Sequence, residues 1–328
     1  MRVTALAGGT GAAKLLRGLA ACVAPADLTV VVNTGDDTEV WGLHVSPDLD
    51  TVTYALAGRL DLARGWGLAG ETFRCRDAMA VLGGPTWFNL GDTDLATHLF
   101  RTERLRAGEP LSAVTAALAR RLGVEVRVLP MSDDPVRTRV RVPGAGEAEG
   151  GWLAFQEYFV RERARPPVLD VVFEGAATAR PAPGVVEALL GADLVVVCPS
   201  NPVTSIGPIL ALPRVVEALC STRALTVAVS PIVGEAPVSG PAGVLMRARG
   251  LPVSVGGVAE TYRPWLDCLV IDHADAGRRL DVERRGVRAV VTDIVMTDAA
   301  REVALARSVL REAAAQAGGR APAPVRPR

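Results

Sequence analysis

The chain has 328 residues, 49% of them hydrophobic, and its 36 Lys and Arg balance 36 Asp and Glu. This is the composition of a globular protein with a substantial core, not of a disordered one. The absence of a basic excess argues against a nucleic-acid partner, and no apolar run is long enough to span a bilayer.

The length admits one large α/β domain or two small ones. The cysteines Cys22, Cys75, Cys198, Cys220 and Cys268 are scattered, with no CxxC pair, which reads as reduced thiols in a cytoplasmic protein. The first 26 residues imitate a secretion signal, but Lys14 and Arg17 interrupt the apolar stretch. The Ala-, Arg-, Gly- and Pro-rich composition points to a high-GC bacterial genome.

In chain order, residues 2–7 and 28–34 read as buried parallel strands, with a helix from Ala12 to about Val23 between them. Two helices follow over Leu95 to Leu122, broken near Gly108-Glu109-Pro110, and then a strand at 124–129. Arg137 to Val142 and Trp152 to Tyr158 alternate like a hairpin, with Pro143 to Gly151 as its turn. From Pro183 the α/β alternation resumes: helix 184–191, strand 193–198, helix 207–220, strand 225–230, helix 241–249 and strand 252–255. Strands near 268–272 and 287–291 precede an Ala-rich amphipathic helix from Asp298 to about Gln316. The expected architecture is α/β: a doubly wound, mostly parallel Rossmann-like sheet in a single domain over 1–316, with an inserted helical and hairpin region at about 55–175. Residues 317–328, nearly all Gly, Pro, Ala and Arg, read as a disordered tail.

Five polar clusters each follow an apolar run, so they should meet along the carboxyl edge of such a sheet, where ligands bind. The first is Gly8-Gly9-Thr10-Gly11-Ala12-Ala13-Lys14. Glycines between a strand and a helix N-terminus suit a phosphate. The string is not a Walker motif, and Lys14 stands where a dinucleotide fingerprint has its third glycine. The bland alternative is a tight turn with no ligand. The second cluster is Asn33 to Asp37, with Asp48 and Asp50 close behind. Aspartates beside a phosphate loop suit a hard divalent cation such as Mg2+. Helix capping, or an acid on the ribose of NAD, is the alternative.

The third, Gly91-Asp92-Thr93-Asp94-Leu95-Ala96-Thr97-His98, offers Asp92 as a cap for the following helix and His98 as a lone helical histidine, more often structural than catalytic. The fourth, Pro130-Met131-Ser132-Asp133-Asp134-Pro135, is a fixed loop or ordinary turn chemistry. The fifth, Pro199 to Pro208, is a capped βα loop with Ser205 as N-cap, or a set of amides and hydroxyls facing a nucleotide. Trp66, Trp87, Phe88, Tyr158 and Phe159 could stack on a flat ring; for each singly, a core position is the better reading.

Taken together, GGTGAAKLL (8–16), VVNTGDD (31–37), SPDLDT (46–51), GDTDLATH (91–98), LPMSDDP (129–135), PSNPVTSIGP (199–208), SPIVG (230–234) and SGPAG (239–243) resemble the 2-phospho-L-lactate transferases of coenzyme F420 biosynthesis. The resemblance implies a magnesium-dependent transfer. The terminal ribityl hydroxyl of 7,8-didemethyl-8-hydroxy-5-deazariboflavin attacks the phosphorus that bears a three-carbon acid in a guanosine diphosphate-linked donor, and GMP leaves. The donor carries lactate or enolpyruvate according to lineage, and an actinobacterial-looking chain favours enolpyruvate. By the resemblance, Asp36, Asp37 and Asp50 hold the ion, and Asp37 and Asp50 are catalytic, with Asp50 the candidate base. Gly8, Gly9, Thr10, Gly11 and Lys14 bind substrate phosphate. Asp50, Asp92, Thr93, Met131, Ser132 and Asp133 line the deazaflavin side, and Ser200, Asn201 and Ser205 the guanosine side. Thr93 departs from relatives that carry arginine there, which removes a fixed charge. Asp50→Asn is expected to abolish turnover and leave the fold largely intact. A homodimer is the family expectation. The rival readings are a nucleotide-binding regulator of the gluconeogenesis-factor branch and an NAD-dependent oxidoreductase. The Gly65-Trp66-Gly67, GDTDLATH and LPMSDDP strings favour the transferases over the first, and the imperfect fingerprint and the density of aspartates argue against the second.

Overall fold

Short runs of Val, Leu and Ala build the centre of the molecule. The computed structural model describes residues 1–144 and 151–318. Its main sheet contains β1 (Val3–Ala7), β2 (Leu28–Val32), β3 (Arg127–Pro130), β4 (Leu194–Val197), β5 (Leu225–Val229), β6 (Cys268–Ile271) and β7 (Arg288–Val291). All seven are parallel, in the order β7-β6-β5-β4-β1-β2-β3. Leu6 pairs with Val31 on one side and Val197 on the other.

Successive side chains of a strand point to opposite faces. Leu6, Val31, Leu129, Val195 and Val197 therefore enter one core layer, and Val3, Ala5, Ala7, Val30, Val32 and Val196 the other. Helices cover both faces, which is why these strands read as continuous apolar runs. The chain winds outward from β1 to β3, then returns and winds the other way from β4. The order therefore reverses between β1 and β4, and a crevice opens at their carboxyl ends.

Helix α1 (Gly9–Ala20) leaves β1 directly and packs on the C-terminal helix Ala299–Gly318. A side chain at Gly18 would collide with the Glu302 carbonyl, so glycine sets that approach. Arg17 forks onto the buried Glu302 carboxylate beside it. Helix α2 (Pro47–Leu56), with proline in its first turn, lies against α1.

Several elements differ from the sequence expectation. Residues 252–255 form no strand: Pro252 has no N–H to donate, and Ser254 Oγ accepts from Gly257 N–H at 3.2 Å to cap helix Val255–Tyr262. Arg137–Val142 does pair with Gly151–Ala154, but Asp170–Glu174 joins as an unforeseen third strand, and from Glu157 the chain coils into a wide turn. β3 enters the main sheet, so the stretch at 55–175 is two excursions on either side of it. The centre of the expected turn at 143–151 and the expected disordered tail from 319 lie outside the described residues; 317 and 318 complete the last helix. Among the described residues, no helix is long and apolar enough to cross a membrane. All five cysteines are free thiols, with Cys198 and Cys268 buried and the others half-buried.

Candidate functional site

At the strand-order reversal, Gly8 follows β1 and donates its N–H to Ser200 Oγ, just beyond β4, at 3.3 Å. A Cβ on Gly8 would lie 2.6 Å from Asp48 Oδ2 and 2.7 Å from Ser205 Cβ. One on Gly11 would strike the Pro199 carbonyl, and Gly9 adopts φ 72°. These glycines admit three chain segments to one point. Protein closes the Gly8 and Gly11 flanks, while Thr10 stays exposed. Lys14, one turn further on, donates to the Met296 carbonyl at 3.1 Å.

Asn33, fully buried after β2, ties the segments together. Its Nδ2 donates to Asp48 Oδ2 at 2.9 Å and to the Thr204 carbonyl at 3.2 Å, while its Oδ1 accepts from Gly35 N–H at 2.8 Å. A side chain at Gly35 would meet Pro208 and Thr138 Oγ1 at 2.9 Å, so this loop is also wedged shut.

Three buried carboxylates face one another here: Asp36, Asp37 and Asp48. Burial pushes Asp36 well above the usual carboxylate range, and the charges of Asp48 and Asp37 add to it. Burial likewise raises Asp48 to about 6, with the Asp37 charge adding and the hydrogen bonds of Asn33 and Gly9 opposing. Asp37 Oδ2 is taken by His44 Nε2 and Ser46 Oγ, both at 2.9 Å. The other oxygen of Asp37, and Asp36 Oδ1, are buried without a hydrogen-bond partner. His44 reaches Asp37 because a two-residue turn, Trp41 at φ 53° and Gly42 at φ 73°, folds Leu43–Val45 back on Thr38–Val40.

Crowded carboxylates with unsatisfied oxygens call for protons or a cation. Among the described residues, no three His, Cys, Asp or Glu side chains converge tightly enough to cage an ion alone. Magnesium does not need such a cage, since it takes one or two carboxylates with phosphate oxygens and water.

Asp50, expected among the metal-binding carboxylates, is paired with an arginine, whose guanidinium also feels the charge of Asp37. Both its oxygens accept from Arg101, which is 2% exposed and sits on α4 (Asp94–Arg106). His98 completes a buried polar network, with Nδ1 3.8 Å from Asp50 and Nε2 3.3 Å from Asp94. Tyr54 OH is 2.5 Å from Asp94 and 2.7 Å from Thr97 Oγ1. Burial and the neighbouring charges of Asp50 and Asp94 raise the Tyr54 phenol, so it stays protonated. Burial also pushes Asp94 up, but hydrogen bonds and charge from His98, with Tyr54 and Arg101, together hold it low.

The GDTD string is a reciprocal clasp. Asp92 does not cap the following helix. It accepts from Thr72 Oγ1 and from the N–H groups of Arg74 and Cys75, so it caps the preceding helix α3 (Arg74–Val81). Glu71 in turn accepts from Thr93 N–H at 2.7 Å and Asp94 N–H at 2.9 Å, capping α4. Gly91 is glycine because the Glu71 side chain occupies the space a Cβ would fill. Gly91→Ala should evict Glu71 and cost about 1–2 kcal/mol of stability, the usual worth of a lost cap, read as a lower urea midpoint. The Thr93 side chain is exposed beside this clasp.

The remaining expected residues have structural partners. Met131 is fully buried in the core. Ser132 Oγ donates to the Arg180 carbonyl at 2.7 Å, and Asp133 caps α5 (Leu111–Arg121) through Ser112. Asn201 Oδ1 accepts from Val203 and Thr204 N–H in a side-chain turn. Ser205 is not the N-cap of Gly207–Leu210; it is buried facing Gly8. Of the aromatics, Tyr158 is core, Trp87 and Phe88 are half-buried, and Trp66 and Phe159 are exposed. Sequence reasoning missed His44, Glu71, Tyr54 and Arg101, and named Asp48 among the aspartates without assigning it a role. The available signals were Ser46 next to the aspartates and the i,i+3 spacing of His98 and Arg101.

Residues 3–310 match the family model described as 2-phospho-L-lactate transferase CofD. A phosphoenolpyruvate transferase of Streptomyces griseus is 47% identical over 94% of this chain and 98% of its own length. A 2-phospho-L-lactate transferase of Methanosarcina acetivorans is 45% identical over 93% of this chain and 97% of its own. Among solved structures, a UPF0052-family protein of Bacillus halodurans superposes with a TM-score of 0.62 at 16% identity, covering 94% of this chain and 98% of that one, which shows the shared fold.

Proposed function

The chain belongs to the 2-phospho-L-lactate transferase CofD family and is a transferase, and from that premise we propose that it joins a phospho-three-carbon acid to a deazaflavin. The acceptor is 7,8-didemethyl-8-hydroxy-5-deazariboflavin. The donor is enolpyruvyl-diphospho-5′-guanosine or its lactyl counterpart, and relatives of both names lie at similar identity. The ribityl hydroxyl oxygen attacks the phosphorus bearing the acid and releases its proton to water, the bond from that phosphorus to the bridging oxygen breaks, and GMP departs with the electron pair.

The observation that carries this reading is the Asn33 junction, where the glycine loop, Asp48 and the Ser200–Ser205 segment come within hydrogen-bond reach of one another. The loop and the N-terminus of α1 suit the donor diphosphate. Ser200, Asn201 and Ser205 flank that loop on the side suited to guanosine. The free oxygens of Asp36 and Asp37, with Asp48 beside them, fit Mg2+. When bound, the ion would neutralise the diphosphate and the leaving GMP. His44 and Ser46 fix the Asp37 carboxylate so that its unpartnered oxygen is presented rather than free to rotate. Transfer of this kind needs positioning and charge neutralisation more than covalent chemistry.

Incubation of the protein with deazaflavin, Mg2+ and each donor in turn is expected to yield one GMP per acid-phosphodiester adduct by mass spectrometry. No adduct with either donor would overturn the reading and favour a regulatory nucleotide binder.

A further inference from the structure

We infer that Trp66 and Phe73, with the Arg64 guanidinium packed against both, form the platform on which the acceptor's ring stacks; this rests on the transferase reading above. The excursion from Gly58 to Asp92 gathers an exposed Trp66 with the half-buried Arg64, Phe73 and Arg76. Arg64 Cζ lies 5.2 Å from the Trp66 ring centroid and 5.3 Å from that of Phe73. The two rings meet edge to face at 6.4 Å, and Arg76 covers Phe73 at 5.0 Å.

This corner is built to keep its shape. Asp61 accepts from the Ala63 and Arg64 N–H groups, both at 3.0 Å, and pairs with the Arg64 side chain at 2.9 Å. Those backbone hydrogen bonds, led by Arg64 N–H, with the Arg64 charge hold Asp61 below the usual carboxylate range. Arg64 also donates to the Leu68 carbonyl at 2.8 Å, and Leu60 bridges to Leu68 across the base of the loop. Gly65, Gly67 and Gly70 all take positive φ, which a tight loop of this kind needs. Trp66 nevertheless remains 36% exposed. A loop pinned at this many points holds the Trp66 ring in one place, where an aromatic face can stack on a flat ligand.

Its position selects the ligand. A Cβ on Gly65 would lie 3.3 Å from Thr10 Cγ2, so the platform abuts the most exposed residue of the glycine loop. The opposite flanks of that loop are closed by Ser200, Ser205 and Pro199, the side assigned to the donor's guanosine. A ring beside Thr10, joined by a ribityl arm to a hydroxyl at the diphosphate, matches the acceptor's shape. The cations match its chemistry, since an 8-hydroxy-deazaflavin carries an acidic phenol on an electron-poor ring. Arginine stacked on aromatic faces offers both π-surface and positive charge to such a ring.

The test is a titration of the full-length protein with deazaflavin, followed by the ligand's own fluorescence, for wild type, Trp66→Ala and Trp66→Phe, with guanine-nucleotide affinity measured by calorimetry alongside. Circular dichroism and thermal melts check that each variant is folded. Trp66→Ala should weaken acceptor binding about 10- to 100-fold, the loss expected of one aromatic stacking partner, and raise KM for the acceptor with GMP affinity unchanged. Trp66→Phe should restore most of the affinity. Wild-type acceptor affinity in Trp66→Ala would overturn the platform while leaving the transferase reading standing. A loss confined to guanine nucleotide would overturn it by assigning these rings to the donor. Failure of the wild type to bind deazaflavin at all would overturn both.

Discussion

Asp48→Asn is expected to abolish detectable turnover while making the ligand-free protein more stable above pH 6. Burial raises the Asp48 carboxyl from 3.8 to about 6, with Asp37 adding to it. An acid raised in the folded state favours folding while it is protonated. That advantage is complete below about pH 4 and is lost as pH rises through 6, because the folded protein must then hold a buried charge that water would solvate better. Asparagine keeps an acceptor toward Asn33 and removes the charge. Melting curves of wild type and variant should therefore diverge as pH rises from 4 to 7, the variant ending higher by something of order 3 kcal/mol. Magnesium with a guanosine diphosphate ligand should stabilise the wild type at pH 8 and leave Asp48→Asn unmoved. Equal melting temperatures across the pH range would remove Asp48 from the cluster. A variant that still turns over would remove it from the reaction.

The second large effect belongs to Asp50 and Arg101. A buried ion pair gains little over well-packed apolar groups, but removing one partner strands the other charge in the interior. Arg101→Met alone should cost about 3–5 kcal/mol, and Asp50→Asn a comparable amount, because either leaves the partner without its fork of hydrogen bonds. This revises the expectation that Asp50→Asn leaves the fold intact: loss of activity in that variant says nothing of chemistry until its stability is known. The pair replacement Asp50→Leu with Arg101→Met should recover most of the lost stability and none of the turnover. Chemical denaturation of the four proteins in a double-mutant cycle measures the coupling directly. Wild-type stability of Arg101→Met by itself would show that the pair is not held as described.

Much of the framework was legible in the chain. Runs such as Leu28-Thr29-Val30-Val31-Val32 can be little other than strands buried on both faces, and glycine clusters after them mark βα turns. That logic placed the glycine loop, the aspartates and the Ser200–Ser205 segment on one edge, and they do meet there. It could not rank Asp48 against Asp50. Two residues apart in the first turn of a helix, they lie about 200° apart around its axis. One faces Gly8 and the other faces α4, and nothing local says which is which.

The GDTD string shows the same limit in another form. Its spacing announces a helix start, and α4 does begin there. Yet Asp92 serves a helix twenty residues upstream, and the cap for α4 comes from Glu71, because a carboxylate binds whichever free N–H groups the fold brings to it. His44 and Arg101 were passed over for a related reason. Each acts through a partner elsewhere in the fold, which the neighbouring Ser46 and the His98–Arg101 spacing do not identify.

Periodicity and turn chemistry are properties of neighbouring residues, so the amino-acid order alone determined the parallel α/β sheet, its glycine-rich loop and the edge on which the acids gather. Which acid faces the loop, which is locked to an arginine, and which rings stand beside Thr10 were decided only by tertiary packing. Those choices depend on the rotation of α2, the approach of α4 and the fold of the Gly58–Asp92 excursion, and each of these is set by contacts between residues far apart in the chain.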